Sequence, residues 1–231
     1  MKLSSLSIVI PAYNDEKTIE SVVERAILSG KKCTKRYELI CINDASADAT
    51  GSILDDLQKQ IKELRVVHHR TNKGYGETIK ELYYESQYDW LFSVPGDFQI
   101  DPMEIVKLIP YHISADMIIG DRVNRQENAK RLRQSRIYNH LIRMLFHVPI
   151  YDINSVRLMR TNMLKTIQLK STSAFVDAEL TISAIRKGFR VAEIPIIHKK
   201  RDTAGAGGGK LSIILPTIWD MVVYFFSHAH L

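Results

Sequence analysis

Only two cysteines occur among the 231 residues, Cys33 and Cys41, which excludes a disulfide framework. Cys41 falls inside the apolar run Tyr37 to Ile42, where a buried free thiol is the ordinary state, so a reducing, cytoplasmic compartment is the expectation. The eight histidines show no zinc-ligand spacing, and the pair His68-His69 suits local packing or solvent contact. Glycine and proline number 11 and 7, without a collagen-like period, repeat or low-complexity tract, so solenoid and disordered architectures are excluded. No basic-then-apolar leader precedes the first strand-like run, which argues against secretion. The phosphate-binding loop is missing too: Gly205 to Lys210 has the wrong spacing, and Leu211 stands where a metal-binding hydroxyl belongs. A dinucleotide fingerprint fails because Gly74 and Gly76 are followed by Ile79 at the third glycine position.

What remains is a chain long enough for one domain with a continuous core, 45% hydrophobic and 25% charged. Its net charge of +6 suits anionic partners such as nucleotide phosphates or lipid headgroups. Nucleic acid is not expected, because the basic stretch from Arg122 to Arg136 has no interleaved aromatics.

Apolar β-branched runs alternate with helical periods. Leu6 to Pro11 reads as a strand and Asp15 to Ser29 as a helix; Tyr37 to Ile42 is followed by a helical pattern through Ile53, Leu54, Leu57 and Ile61. Leu64 to His68 leads into a helix around Thr78 to Ser86, and Trp90 to Val94 stops at Pro95-Gly96-Asp97. Such βαβ units predict an α/β fold with a mostly parallel sheet covered by helices on both faces. Beyond about residue 110 the pattern loosens, with a strand at Met117 to Ile119, a helix near Ile137 to Phe146, a helix from Ala178 to Lys187 and a strand from Val191 to Ile197. Residues 1–210 are read as one domain, with a nucleotide-binding half to about 110 and an acceptor half from 111 to 210. Ala204 to Gly209 reads as a mobile loop.

In open α/β sheets ligands bind beyond the carboxyl ends of the strands. The residues at those ends form a consistent set: Pro11, Tyr13, Asn14, Asp15 and Glu16; Asn43, Asp44, Ser46 and Asp48; Lys73 to Gly76; then Gly96, Asp97 and Gln99. An aromatic ring, carboxylates, amides and oxygen ligands for a divalent ion together suit a nucleotide diphosphate. Taken alone, Asp15 and Glu16 read better as first-turn helix carboxylates, and Asp44 to Asp48 as a turn with an N-cap; the recurrence at four successive strand ends is what points to a joint site.

The strings Val9-Ile-Pro-Ala-Tyr-Asn-Asp-Glu16, Ile42-Asn-Asp-Ala-Ser-Ala-Asp-Ala-Thr50 and Gly96-Asp-Phe-Gln-Ile-Asp-Pro102 resemble the family-2 glycosyltransferases of the Rossmann-like GT-A fold. Among these, the likeness is nearest to the dolichyl-phosphate and polyprenyl-phosphate sugar transferases. It continues through Asp152-Ile-Asn-Ser155, Phe175-Val-Asp-Ala-Glu-Leu180 and Glu193-Ile-Pro-Ile-Ile-His198 with Arg201, covering residues 6 to 210. The resemblance implies an inverting transfer from a GDP- or UDP-sugar. Pro11, Tyr13, Asn14, Glu16 and Asp44 would hold base and ribose, with Asn43, Ser46, Lys73 and Gly96 in the same nucleotide site. Asp97 and Gln99 would bind Mg²⁺ or Mn²⁺, and Arg122, Arg131 and Arg201 would contact phosphate, with Asp152, Ser155 and Glu179 beside the acceptor. Pro95 replaces the first aspartate of the family's Asp-x-Asp-x-Gln metal motif, and Asn43 replaces a frequent aspartate. An eroded, non-catalytic nucleotide-sugar-binding scaffold is therefore the alternative to an enzyme.

The acceptor decides whether a base is needed. A glycan or lipid hydroxyl must lose a proton, for which Asp177 or Glu179 is the candidate; a lipid phosphate is already ionised. From Leu211 to Phe226 apolar residues follow helical spacing, with Thr217, Asp220, Tyr224 and Ser227 on a narrow polar stripe. A helix over 211–227 would reach about 26 Å, short of the ~30 Å bilayer core. The segment 211–231 is read as an amphipathic helix that either lies on the cytoplasmic face of a membrane or packs on protein, a homodimer partner included.

Overall fold

Alternating side chains along seven short strands sort the core into two layers. In the computed structural model, which describes residues 2–200 and 211–227, the strands are β1 (Leu6–Ala12), β2 (Tyr37–Asn43), β3 (Leu64–His68), β4 (Trp90–Ser93), β5 (Met117–Val123), β6 (Arg157–Arg160) and β7 (Val191–Ile197). The helices are α1 (Ile19–Cys33), α2 (Thr50–Gln60), α3 (Tyr75–Glu85), α4 (Ile105–Leu108), α5 (Ala129–Phe146), α6 (Thr161–Leu164), α7 (Val176–Arg186) and α8 (Leu211–Ser227). Val9, Ile40, Leu91, Met117 and Met159 pack in one layer with α3, α5, α7 and α8. Their chain neighbours Ile8, Leu39, Phe92, Ile118 and Leu158 pack in the other, with α1, α2 and α4.

The strand order is β3-β2-β1-β4-β6-β5-β7. β1 pairs in parallel with β2 and β4, β2 with β3, and β5 with β7. β6 alone runs antiparallel to its neighbours, with Arg157 opposite Ser93 of β4 and Ile119 of β5. The mostly parallel sheet flanked on both faces is thus as expected. The chain turns from β1 toward β2 and β3 on one side and toward β4 on the other, so the crevice lies at the ends of β1 and β4.

Two boundary shifts bear on function. α1 starts at Ile19 rather than Asp15, so Asp15 and Glu16 are loop residues and not first-turn helix carboxylates. α5 starts at Ala129, so much of the basic stretch is helical, capped by Asn128 Oδ1 accepting from the amide of Arg131 at 2.9 Å.

α8 reverses the usual amphipathic arrangement. Its narrow polar stripe faces the domain: Thr217, Met221 and Tyr224 are buried, and Tyr224 packs its ring against Phe146 and Phe175. Leu211, Leu215, Ile218, Trp219, Val223 and Phe226 face outward, and Trp219 is 68% exposed. No helix among the described residues is long and apolar enough to cross a membrane.

Candidate active site

The loops after β1, β2 and β4 are laced into one edge. Asp44 donates its amide to Ala12 O at 2.9 Å, and Thr18 Oγ1 donates to Gly96 O at 2.8 Å. Asn14 donates its amide to Ser46 Oγ (3.0 Å) and accepts from Ala47 N through Oδ1 (2.8 Å). Glu16 donates its amide to Asp48 Oδ2 (3.1 Å) and accepts from Ala49 N (3.1 Å). Asn14, Ala45 and Phe98, each just past a strand end, adopt φ of 54–55°. A non-glycine residue in that region costs about 1–3 kcal/mol and persists only where its surroundings over-determine it, which this lacing does. Gly96 is needed for closeness: a Cβ there would lie 2.8 Å from Asp15 Oδ2 and 3.3 Å from Pro11 O.

Several residues expected to touch nucleotide instead hold the loops. The buried Asp44 carboxylate accepts from the amides of Lys73 (2.8 Å) and Gly74 (2.9 Å) and lies 2.7 Å from His69 Nδ1. Its oxygens are therefore engaged within the protein. Lys73 turns its ammonium to Glu81 at 2.9 Å, and His69 bridges Asp44 and Glu81 from a buried position, which corrects the solvent-exposed alternative for it. Asn43 accepts from Ser46 N at 3.1 Å and sits 3.0 Å from His68 Nδ1. Tyr13 stays half exposed at the same edge.

A cavity of about 270 Å³ opens at the crevice, lined among others by Pro11, Asp97, Gln99, Arg122, Arg131, Ser155, Asp177 and His198. Pro11, the metal-motif residues Asp97 and Gln99, and Arg122 and Arg131 thus converge. Asp97 Oδ1 accepts from Gln99 N at 3.1 Å, while Gln99 O accepts from Lys199 N at 2.7 Å, which draws the exit of β7 and with it His198 toward the loop after β4. His198 is buried and its Nδ1 has no hydrogen-bond partner; burial and then the Arg122 charge lower its pKa, keeping the imidazole neutral. Asp97, Gln99 and His198 therefore offer oxygen and nitrogen donors that fit a divalent ion. No group of three His, Cys, Asp or Glu side chains that could hold a metal exists among the described residues, so diphosphate oxygens and water would have to complete the shell.

The opposite wall of the cavity is built from buried ion pairs. Arg122 forks onto Asp152, with Nε–Oδ2 2.6 Å and a second contact at 2.7 Å. Burial pushes Asp152 up, but the hydrogen bonds and charge of Arg122 more than offset this and leave its pKa below the usual carboxylate range. Asp152 thus orients Arg122 and lies behind it, outside the lining of this cavity. Arg131 pairs with Glu127 at 2.6 Å. Ser155 lines the cavity, and its Oγ is buried without a hydrogen-bond partner. Fully buried Arg157, at the head of β6, meets Asp177 at 3.1 Å, and Tyr75 and Tyr83 donate to the same carboxylate at 2.8 and 3.3 Å. Asp177 is therefore held by a cation and two phenols, so its oxygens are engaged within the protein. Glu179 does not reach the cavity: its oxygens accept from Lys170 N and Ser171 N at 2.9 and 2.8 Å. Arg201 lies outside the described residues, as does the glycine-rich loop. A second cavity of about 670 Å³ shares Arg122 and adds Arg125, Arg136, Arg143 and Tyr151.

Tyr75, Arg157 and His198 carry much of this site; Tyr75 lies in the Lys73 to Gly76 loop and His198 in the motif Glu193 to His198, both noted from the sequence, whereas Arg157 was missed. The signal for Arg157 would have been an arginine flanking the apolar pair Leu158-Met159 with an aspartate twenty residues on.

A mostly parallel sheet with a metal-motif loop at its switch point is the architecture of the GT-A glycosyltransferases. The chain belongs to glycosyl transferase family 2, whose profile matches residues 7–170. It is 27% identical over 206 residues to undecaprenyl-phosphate 4-deoxy-4-formamido-L-arabinose transferase of Proteus mirabilis, covering 87% of this chain and 62% of that protein. Glycosyltransferase AglD of Haloferax volcanii is 27% identical, covering 94% of this chain and 38% of that one. This chain thus spans under two thirds of the length of either relative. Among solved structures, glucosyl-3-phosphoglycerate synthase of Mycobacterium tuberculosis in complex with Mn²⁺, uridine diphosphate and phosphoglyceric acid superposes with a TM-score of 0.73 at 15% identity, covering 99% of this chain and 79% of that one. The same enzyme with Mg²⁺ and uridine diphosphate gives 0.67 at 15% identity, covering 87% and 73%.

Proposed function

We propose that this chain transfers a sugar, with inversion, from a GDP- or UDP-sugar to a polyprenyl-type lipid phosphate at a membrane surface. The observation that carries this reading is the composition of the cavity wall. Its two carboxylates are Asp97, in the metal motif, and Asp177, paired with Arg157. With Asp97 assigned to the metal and Asp177 tied to Arg157, neither would be left to take a proton from a hydroxyl, whereas an ionised phosphate needs only to be positioned, and Arg122 and Arg131 are planar forks suited to that task.

The acceptor oxygen would attack the anomeric carbon opposite the nucleoside diphosphate, whose bond to that carbon breaks with its electron pair. Asp97, Gln99 and His198 are the residues that would hold Mg²⁺ or Mn²⁺. When bound, the ion neutralises charge developing on the departing diphosphate. Pro11, Tyr13, Asn14, Glu16, Asn43, Asp44, Ser46 and Gly96 build the nucleotide cradle, some by direct contact and Asp44 by fixing the loop at Lys73 and Gly74. Tyr75, held as a phenol by burial and the Asp177 charge, keeps Asp177 oriented. Arg201, which the family resemblance brings in, is assigned a phosphate contact. The relative from Proteus supports the class of acceptor, and the outward apolar face of α8 supports peripheral attachment to a membrane, which the reading places on the cytoplasmic side.

The test measures nucleoside-diphosphate release from a panel of GDP- and UDP-sugars, with and without polyprenyl phosphate, Mn²⁺ and chelator. Release that requires both lipid phosphate and metal is expected. Turnover onto a neutral glycan alone would replace the acceptor, full turnover in excess chelator would remove the metal, and release from no donor would favour the binding scaffold.

A further inference from the structure

Asp220 is the only charged residue of α8, and both of its structural links lead away from the exposed apolar face. Its Oδ2 accepts from the amides of Thr172 (3.1 Å) and Ser173 (3.0 Å), forty-eight and forty-seven positions earlier in the chain. That short segment does two things. It opens α7, since Ser173 Oγ accepts from Phe175 N (3.2 Å) and Ser173 O accepts from Val176 N (3.2 Å), one residue before Asp177. It also presses on the start of α3: a Cβ on Gly76 would lie 2.2 Å from Thr172 O and 2.5 Å from Ser173 O. Gly76 follows Tyr75, whose hydroxyl donates to Asp177 at 2.8 Å, and both Tyr75 and Asp177 line the cavity.

From this chain of contacts we infer that Asp220 is a positioning residue for the transferase cavity, fixing Tyr75 and Asp177 relative to one another from the outermost helix. The inference rests on the proposed transfer activity. One carboxylate oxygen bonded to two successive amides sets the height of the 172–173 backbone, and the absent side chain of Gly76 leaves no slack between that backbone and α3. A second tie, Ser183 Oγ to Tyr224 OH at 2.9 Å, holds α8 on α7 independently, so loss of Asp220 shifts the loop without releasing the helix.

The experiment compares wild type, Asp220→Ala and Asp220→Asn in the full chain, by steady-state transfer and by amide hydrogen exchange. Asp220→Ala is expected to lower kcat about 10- to 100-fold per nucleotide-binding-competent molecule with the donor KM within about twofold, the scale set by a small misplacement of reacting groups. Asp220→Asn, whose carbonyl oxygen still accepts both amides, is expected to recover most of the rate. Exchange is expected to quicken in residues 171–177 and 75–83 of the alanine variant. Unchanged kcat in Asp220→Ala, or an asparagine variant as slow as the alanine one, overturns the inference while wild-type turnover leaves the transferase reading standing. If wild type turns over no donor, that reading falls instead, and exchange decides: quickening confined to 171–177, with 75–83 unaffected, overturns the linkage.

Discussion

The two halves of the sheet edge are stabilised by different chemistry. On the β1–β2–β4 side neutral and acidic side chains bond to backbone amides of the adjoining loop, as Asn14 does to Ala47 and Glu16 to Ala49. On the β5–β6–β7 side arginines meet carboxylates in burial, as in Arg122–Asp152 and Arg157–Asp177. A cradle for a nucleotide needs shape, which many modest bonds supply; a wall facing an anion needs cations whose direction is fixed before the anion arrives. The first half therefore tolerates loss of a single bond, and the second does not.

That contrast is open to attack at several points, the strongest being Arg157. Replacing it with leucine strands Asp177 in a buried site and is expected to cost about 3–5 kcal/mol in a denaturant titration, most of which the double change with Asp177→Leu returns. A cost below about 1 kcal/mol would erase the distinction between the halves. Asp97→Ala is expected to lower kcat by about 10²–10³ while leaving unfolding free energy nearly unchanged, as measured by diphosphate release beside thermal melting. In the first half, Gly96→Ala forces a Cβ against Asp15 and Pro11 O and is expected to destabilise by about 1–3 kcal/mol and to raise the donor KM.

Acid sharpens the comparison further. Asp152 has a folded pKa below that of the unfolded chain, so its pairing with Arg122 contributes stability above the ordinary aspartate pKa of about 3.9 and loses it as pH falls through the lower folded value. Asp152→Asn should flatten the acid limb of a stability-against-pH curve. Asp121 is the opposite case: burial and then repulsion from Asp152 raise its pKa, so its ionised form weakens the fold at neutral pH. The smallest effect expected is a slight rise in Tm for Asp121→Asn at pH 7, absent once pH is below the unfolded value.

Sequence pattern was most informative where contacts are local. The bounds of β3 and β7 match the apolar runs Leu64–His68 and Val191–Ile197, and the edge loops were found because strand, turn and helix succeed one another within a few residues. β6 was missed, because Arg-Leu-Met-Arg reads as polar until the distant carboxylate of Asp177 neutralises its first arginine. Asp97, Gln99, Arg122, Arg131, Ser155 and Asp177 do share the cavity, while the inward carboxylates of Asp44 and Glu179 look like ligand groups until the backbone amides they hold are known. In α8 periodicity gave the stripe but not its direction, which distant partners set: Asp220 bonds to Thr172 and Ser173, and Tyr224 to Ser183.

The reversed direction of β6 has a consequence for how such a site diversifies. Every parallel strand delivers its last residue to the ligand edge, so the loop leaving it meets the ligand; β6 delivers its first, Arg157, so the loop entering it does. Within residues 147–156, Asp152 is committed to Arg122 and Val148, Ile150 and Ile153 to the core, so on the proposed reading Ser155, at the cavity wall, is where this entering loop would be retuned to a new recipient molecule.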